Sequence, residues 1–144
     1  MKNSLDIAVQ VEGWQDCENL AARAVAAVAG QLEAPREGEL SLVLSSDAQV
    51  RILNREYRNI DKSTNVLSFP QMGPLLGDII LARETIEREA LAKGASFEAH
   101  LTHLIIHGWL HLQGFDHETE SEALKWNLLK LRLLRLWALT TRIR

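Results

Sequence analysis

The chain has 144 residues, of which 47% are hydrophobic and 24% are charged. This length and balance favour one globular domain over residues 1–144 and argue against a disordered or collagen-like chain. The formal net charge of −3 gives no overall positive field that would indicate nucleic acid, although a local basic groove is compatible with it. The single cysteine, Cys17, argues against a disulfide and suits a reducing compartment. No apolar run reaches the roughly 20 residues of a membrane span, so we expect a soluble, cytoplasmic protein without a membrane partner.

The first part of the chain predicts two strands, each followed by a helix. Alternating apolar and polar residues predict a strand over Leu5–Val11. The alanine-rich segment Trp14–Leu32 predicts a helix, and Leu40–Leu44 predicts the second strand. Residues 45–47 offer N-caps for a helix that runs to about Arg58.

The middle of the chain predicts a hairpin and two more helices. The short β-prone segments Val66–Phe69 and Leu75–Ala82 flank a turn-rich loop, which is typical of two paired strands. A helix is predicted near Glu84–Lys93, and another begins after the cap Ser96 and continues to Gln113.

A leucine-rich helix over Glu118 to about Leu139 completes the predicted elements. Their order favours an α+β fold, in which helices pack on a small mixed β-sheet of about four strands. The last helix also carries a basic stripe, which is either a solvated face or a contact for RNA phosphates. The stripe consists of Lys125, Arg132, Arg135 and Arg142.

The five histidines of the chain are clustered on the penultimate predicted helix and the turn that follows it. They are His100, His103, His107, His111 and His117. His107 and His111 are four residues apart, which places two imidazoles on one helical face at a separation that a single cation can bridge. Gly114 allows a left-handed turn that brings His117 back toward the same point.

Three imidazoles without cysteine suit zinc and leave a fourth coordination position for water. The pattern therefore predicts one catalytic Zn²⁺ per chain, held by His107, His111 and His117. The alternative for histidines at this spacing is ordinary hydrogen bonding at the surface or in the core.

Three neighbouring residues need separate interpretations. His103 either lines the cleft, as a substrate-binding or ligand-supporting residue, or packs without a role. Asp116 either orients a ligand imidazole or caps the turn. His100 is expected to be structural or solvated.

The histidine spacing equals that of the metzincin proteases, H-E-x-x-H-x-x-G-x-x-H, except at one position. Residue 108 is glycine instead of glutamate. Because that glutamate is the general base of peptide hydrolysis, Gly108 disfavours a peptidase. The chain also lacks the H-x-E and P-C-x-x-C motifs of the zinc deaminases.

A second motif, LNREYRNIDKSTNVLSFP, spans Leu53–Pro70 and places Arg58 before an apolar strand. A guanidinium is a planar, permanently charged donor that matches two phosphate oxygens. Arg58 is therefore a candidate for phosphate binding and catalysis, and the alternative is a solvated cation at a helix end.

The two motifs together resemble one family. HGWLHLQGFDH, from His107 to His117, resembles the H-G-x-L-H-L-x-G-[FY]-D-H signature of the YbeY family of bacterial rRNA maturation factors, also called UPF0054. Leu53–Pro70 resembles that family's L-N-x-x-[FY]-R-x-x-D-x-x-T-D-V-L-S-F-P segment, and LLGDIILA resembles its L-G-D-I strand. The first fifty residues match only in their pattern of elements.

The resemblance implies a metal-dependent endoribonuclease that acts on single-stranded RNA, in 3′-end maturation of 16S rRNA and in ribosome quality control. It implies His107, His111 and His117 as metal ligands and Arg58 as a functional arginine. It also implies ribosomal RNA, the small ribosomal subunit and an assembly GTPase as partners.

One position departs from the family pattern, since Asn65 replaces the usual aspartate. Asparagine still accepts a hydrogen bond but carries no charge. Two alternatives to the nuclease stay open at this point: a ribosome-assembly factor in which the metal only stabilises the fold, and a zinc hydrolase of another class.

Overall fold

The computed structural model describes residues 4–14, 17–29, 38–71 and 74–113. These contain four strands and four helices. The strands are β1 (Ser4–Val9), β2 (Glu39–Ser45), β3 (Val66–Pro70) and β4 (Leu75–Ala82). The helices are α1 (Cys17–Ala29), α2 (Asp47–Arg58), α3 (Arg83–Lys93) and α4 (Phe97–Leu112). The predicted helix over Glu118–Leu139, with its basic stripe, lies outside the described residues.

The strands form one sheet in the order β1-β2-β4-β3. β1, β2 and β4 are parallel neighbours, whereas β3 pairs antiparallel with β4. The predicted hairpin and the predicted α+β fold with a small mixed sheet are therefore confirmed. β3 lies at one edge of this sheet, next to the helices that carry the candidate functional residues.

The two faces of the sheet are covered unequally, because alternate strand residues point to opposite sides. On one face, Leu42 of β2 and Ile79 of β4 are fully buried in a large cluster with residues of α1 and α4. On the other face, Val50 of α2 packs in a smaller cluster with Leu67 and Ile80. Helix α4, the helix that carries the histidines, is thus part of the main core.

The region around Trp14 corrects two predicted boundaries. β1 ends at Val9 instead of Val11, and α1 begins at Cys17 instead of Trp14. The reason is tertiary: Trp14 is 3% exposed, and its Nε1 donates to the carbonyl oxygen of Ser45 at 3.1 Å. Because the buried indole is held against Ser45, the chain around Trp14 is neither strand nor helix, so β1 ends before it and α1 begins after it.

Local capping signals fix the starts of the two helices that matter for the site. Ser46 precedes α2, and its hydroxyl accepts from the backbone N–H of Gln49. Ser96 precedes α4 and accepts from Ala99 in the same way. Both caps agree with the sequence prediction. Among the described residues, the helices are too short or too polar to cross a membrane.

Candidate active site

Arg58 is placed by the end of helix α2. Asn59 follows it with φ 59° and ψ 29°, a left-handed conformation that asparagine tolerates better than most residues, and this ends the helix. The exposed Arg58 side chain then reaches the edge strand β3. Its Nη2 lies 3.5 Å from the carbonyl oxygen of Ser68, and its Cζ lies 5.8 Å from the centre of the Phe69 ring. Both contacts are weak, so the guanidinium keeps donors for a ligand.

The loop after α2 is held from below by a buried side chain. Asn54 is 3% exposed; its Nδ2 donates to the carbonyl oxygen of Lys62 at 2.9 Å, and its own backbone carbonyl accepts from Ile60. At the surface, Arg51 binds Asp61 at 2.9 Å, and this hydrogen bond holds the pKa of Asp61 below its ordinary value. The loop that leads into β3 is therefore held by hydrogen bonds on its buried side and by an ion pair on its exposed side.

The histidines on α4 have three different environments. His100 is buried, 4% exposed, which confirms the structural interpretation of this residue. His103 and His107 are half-buried and line a cleft with Lys93. His111 is half-buried one turn further along the helix.

Two clefts meet at the start of β3. The first, the arginine cleft, is lined by Arg58, Lys62, Asn65, Val66, Thr85, Glu89 and others. The second, the histidine cleft, is lined by Asn65, Val66, Lys93, His100, His103, Leu104 and His107. Asn65 and Val66 belong to both clefts. These two residues form a wall between the clefts, called the shared wall below. Arg58 lies on one side of it and His107 on the other.

The shared wall is fixed by a hydrogen-bonded network. The Nδ2 of Asn65 lies 3.0 and 3.3 Å from the two carboxylate oxygens of Glu89, and the Nε2 of His100 lies 2.8 Å from Glu89 Oε1. Burial raises the pKa of Glu89, but the hydrogen bonds from His100 and Asn65 and the charge of Lys93 outweigh it and lower that pKa overall. Glu89 therefore remains a carboxylate that only accepts.

The predicted metal centre lies only partly within the described residues. His107 and His111 are there, on the same side of α4, whereas His117 and Asp116 lie outside. Within residues 4–113, apart from the gaps, no group of three or more histidine, cysteine or carboxylate side chains is arranged to hold a metal. The three-histidine ligand set and the role of His103 thus stay predictions.

Comparison with known proteins identifies the family. A family model described as endoribonuclease YbeY matches residues 5–137. A relative named endoribonuclease YbeY from Agrobacterium fabrum is 46% identical, with 94% of this chain and 92% of that protein covered. A second, from Allorhizobium ampelinum, is 42% identical, with 92% and 90% covered. This chain belongs to the YbeY family.

A solved structure has a similar fold. The solution structure of TM1509 from Thermotoga maritima superposes with a TM-score of 0.63 at 26% identity, and the alignment covers 95% of this chain and 93% of that one. The YbeY family match over residues 5–137 spans α2, β3 and α4, and so includes both clefts and the predicted third ligand.

Gly108 has a packing reason in this YbeY member. A Cβ atom at this position would lie 3.1 Å from Ser68 Oγ and 3.2 Å from two side-chain carbons of Ile79. Helix α4 thus packs closely on the sheet at this position. A glutamate here would crowd Ser68 and Ile79, which gives a structural reason for glycine in place of the metzincin base.

Sequence reasoning missed two residues that build the site. Asn54 supports the loop behind Arg58, and Glu89 fixes the wall between the clefts. Asn54 had a signal, because it stands inside the Leu53–Pro70 motif. Glu89 had none, because a glutamate on a polar helix is ordinarily solvated and its partners are distant in sequence.

We expect Gly108→Glu to destabilise the protein without creating peptidase activity. Overpacking of this contact should lower the free energy of unfolding, measured by urea denaturation, by about 1–3 kcal/mol. Ala99→Glu, on an exposed position in the first turn of the same helix, is the control and should be close to neutral. Native stability in the Gly108→Glu variant would contradict the close contact.

We expect Glu89→Gln to change the pH dependence of stability. Because the folded-state pKa of Glu89 is lowered, its contribution is complete above the unfolded carboxyl pKa of about 4.3 and is lost as the pH falls through the folded value. The stability gap between native and variant, measured by denaturation, should therefore shrink on acidification. Glu56→Gln removes the same charge from the exposed surface of α2 and serves as the control; identical profiles for both variants would contradict the assignment.

Proposed function

We propose that this chain is a zinc-dependent endoribonuclease that cleaves single-stranded RNA. The observation that carries the proposal is the meeting of the arginine cleft and the histidine cleft at Asn65 and Val66. The guanidinium of Arg58, which can donate hydrogen bonds to a phosphate, and the imidazoles of α4 thereby lie on the two sides of the wall formed by Asn65 and Val66. This arrangement suits an RNA strand whose phosphodiester lies across that wall. Membership of the YbeY family supports the same activity, since the curated relatives carry the name endoribonuclease.

The residues available fit a zinc ion. His107 and His111 offer two half-buried imidazoles from the same side of α4, and with His117 they would hold one Zn²⁺ per chain. When bound, zinc lowers the pKa of coordinated water and polarises a phosphoryl oxygen. Asp116 would orient one of the ligand imidazoles through its second ring nitrogen.

Arg58 would bind the scissile phosphate from the opposite side of the wall. Its guanidinium offsets the charge that develops on the non-bridging oxygens in the transition state. Lys62 and Lys93 each line one of the two clefts and add positive charge along the path of the strand. These cations give an acidic protein a local surface for a polyanion.

His103 is proposed to contact the substrate from the histidine cleft.

The residues leave two nucleophiles open, a water molecule or the 2′-OH of the RNA itself, and the product distinguishes them. Internal attack gives a 2′,3′-cyclic phosphate, whereas hydrolysis gives a free hydroxyl on one end and a phosphate on the other.

The cellular role proposed for this chain is 3′-end maturation of 16S rRNA and ribosome quality control in the cytoplasm. Its partners would be ribosomal RNA, the small ribosomal subunit and an assembly GTPase. The support for this finer role is the resemblance of the two motifs to the YbeY rRNA maturation factors, together with a single buried thiol, Cys17, which suits a reducing compartment.

We expect His111→Ala to lose both bound zinc and cleavage of single-stranded RNA. Elemental analysis and a cleavage assay on the same preparations measure the two effects. His103→Ala, the same change two turns earlier on α4, should keep about one zinc per chain because His103 is not a proposed ligand. Equal cleavage by native protein and His111→Ala would reveal a contaminating nuclease and contradict the proposal.

Removing the metal from the native protein separates catalysis from support of the fold. A catalytic site predicts lost cleavage with a modest fall in stability, whereas a structural site predicts unfolding. Unfolding of the metal-free protein would favour the assembly factor without catalysis.

We expect Arg58→Ala to lower kcat by about 10²–10³-fold, the typical cost of removing one donor to developing charge. Zinc content should stay near one per chain, and Arg58→Lys should rescue poorly because ammonium replaces a planar fork. Arg55→Ala, an exposed arginine in the same last turn, is the matched control. Loss of zinc in Arg58→Ala, or an equal loss of kcat in both variants, would contradict the role.

A further inference from the structure

The carboxamide of Asn65 has a forced orientation. Both oxygens of Glu89 lie within 3.0 and 3.3 Å of the Asn65 Nδ2 atom. An ionised carboxylate accepts hydrogen bonds and donates none, so the amide nitrogen, and not the amide oxygen, must face it. His100 holds the carboxylate in turn at 2.8 Å, from a position that is 4% exposed. The orientation is therefore set by a buried histidine through Glu89.

This orientation leaves Oδ1 as the amide atom for a ligand. Asn65 lines both clefts, and within the described residues its Oδ1 makes no hydrogen bond to protein. The backbone is fixed as well, because the carbonyl oxygen of Asn65 accepts from the N–H of Ala82 on β4 at 3.0 Å. A neutral, rigid acceptor thus stands at the junction between Arg58 and His107.

Several of the other polar groups around the junction bind phosphate or already have partners in the protein. Arg58, Lys62 and Lys93 bind phosphate, which RNA and DNA share. The hydroxyls of Ser63 and Thr85 in the arginine cleft donate to Thr64 and Asp47 of the protein. A site that distinguishes ribose from deoxyribose needs a partner for the 2′-OH, and Asn65 Oδ1 is a hydrogen-bond acceptor on a residue that lines both clefts.

We propose that Asn65 is a specificity-determining residue that accepts a hydrogen bond from the ribose 2′-OH of one nucleotide, with Glu89 and His100 as its positioning residues. This inference rests on the proposed function, because it assumes that an RNA strand crosses the wall between the clefts. It also gives a reason for asparagine at this position. An aspartate would offer an acceptor too, but it would set a second carboxylate about 3 Å from Glu89.

The test is the affinity for single-stranded RNA oligonucleotides in which one 2′-OH at a time is replaced by fluorine. Fluorine keeps the size of the group and the sugar pucker but cannot donate a hydrogen bond. Binding to the full chain is measured by fluorescence anisotropy at low temperature, and the strand is checked for integrity afterwards. For the native protein, one position should weaken binding about three- to tenfold, the value of a single neutral hydrogen bond.

In Asn65→Ala, fluorine at that position should weaken binding by less than about twofold relative to the unmodified strand. For strands modified at other positions, the affinity relative to the unmodified strand should be the same in the variant as in the native protein. A merely structural role for Asn65 would weaken all strands equally. The inference is overturned if the native protein shows no position-dependent penalty, or if the penalty persists in Asn65→Ala.

A compensating pair keeps the test independent of the folding of Asn65→Ala. In Glu89→Gln the amide at position 89 can either donate to Asn65 or accept from it, so the Asn65 carboxamide is no longer held in one orientation and the penalty should fall. In the double variant Asn65→Asp with Glu89→Gln, the amide oxygen introduced at position 89 accepts from His100, and the amide nitrogen donates to the new carboxylate at position 65. An acceptor again faces the clefts, and the penalty should return; its absence in the double variant overturns the inference.

The same preparations separate this inference from the proposed function. Absence of zinc-dependent cleavage by the native protein overturns the nuclease. Retained cleavage together with an unchanged fluorine penalty in Asn65→Ala overturns only the role of Asn65.

Discussion

The burial of helix α4 against the sheet is the constraint on which the rest of the structure depends. Leu101, Ile105 and Trp109 are fully buried on one side of this helix, and each contributes about 1.5–3 kcal/mol of apolar burial. The helix cannot rotate without exposing them. The packing of α4 consequently fixes the position of three half-buried histidines on another side of the helix, namely His103, His107 and His111.

The second constraint links three elements through one carboxylate. Glu89 of α3 binds His100 of α4 and Asn65 at the entry to β3. The helix with the imidazoles and the strand that Arg58 overlies are thereby tied at their closest point. A charged group costs free energy when it is half-buried, and the hydrogen bonds of the network offset that cost. The result is a rigid boundary between two clefts.

The parts of the fold that the sequence predicts are those set by neighbouring residues. The hairpin of β3 and β4 and the caps at Ser46 and Ser96 depend on turn and capping chemistry within a few positions. The boundaries predicted around Trp14 are wrong because its indole bonds to Ser45, which is distant in sequence.

The candidate site divides in the same way. Arg58 and His107 follow from motifs that can be read along the chain, whereas their supports, Asn54 and Glu89, depend on tertiary contacts. The ligand role of His117 stays a prediction.

The contact of Gly108 with Ser68 and Ile79 has a consequence for the choice of residue at this position. The metzincin proteases share the spacing of three histidines, but a glutamate at position 108 of this chain would crowd the side chains of Ser68 and Ile79. Those side chains would have to shift before the larger residue could be accommodated. The packing of helix α4 on the sheet therefore favours glycine at position 108, and a proton acceptor for a hydrolytic reaction is more easily supplied by another element of the fold.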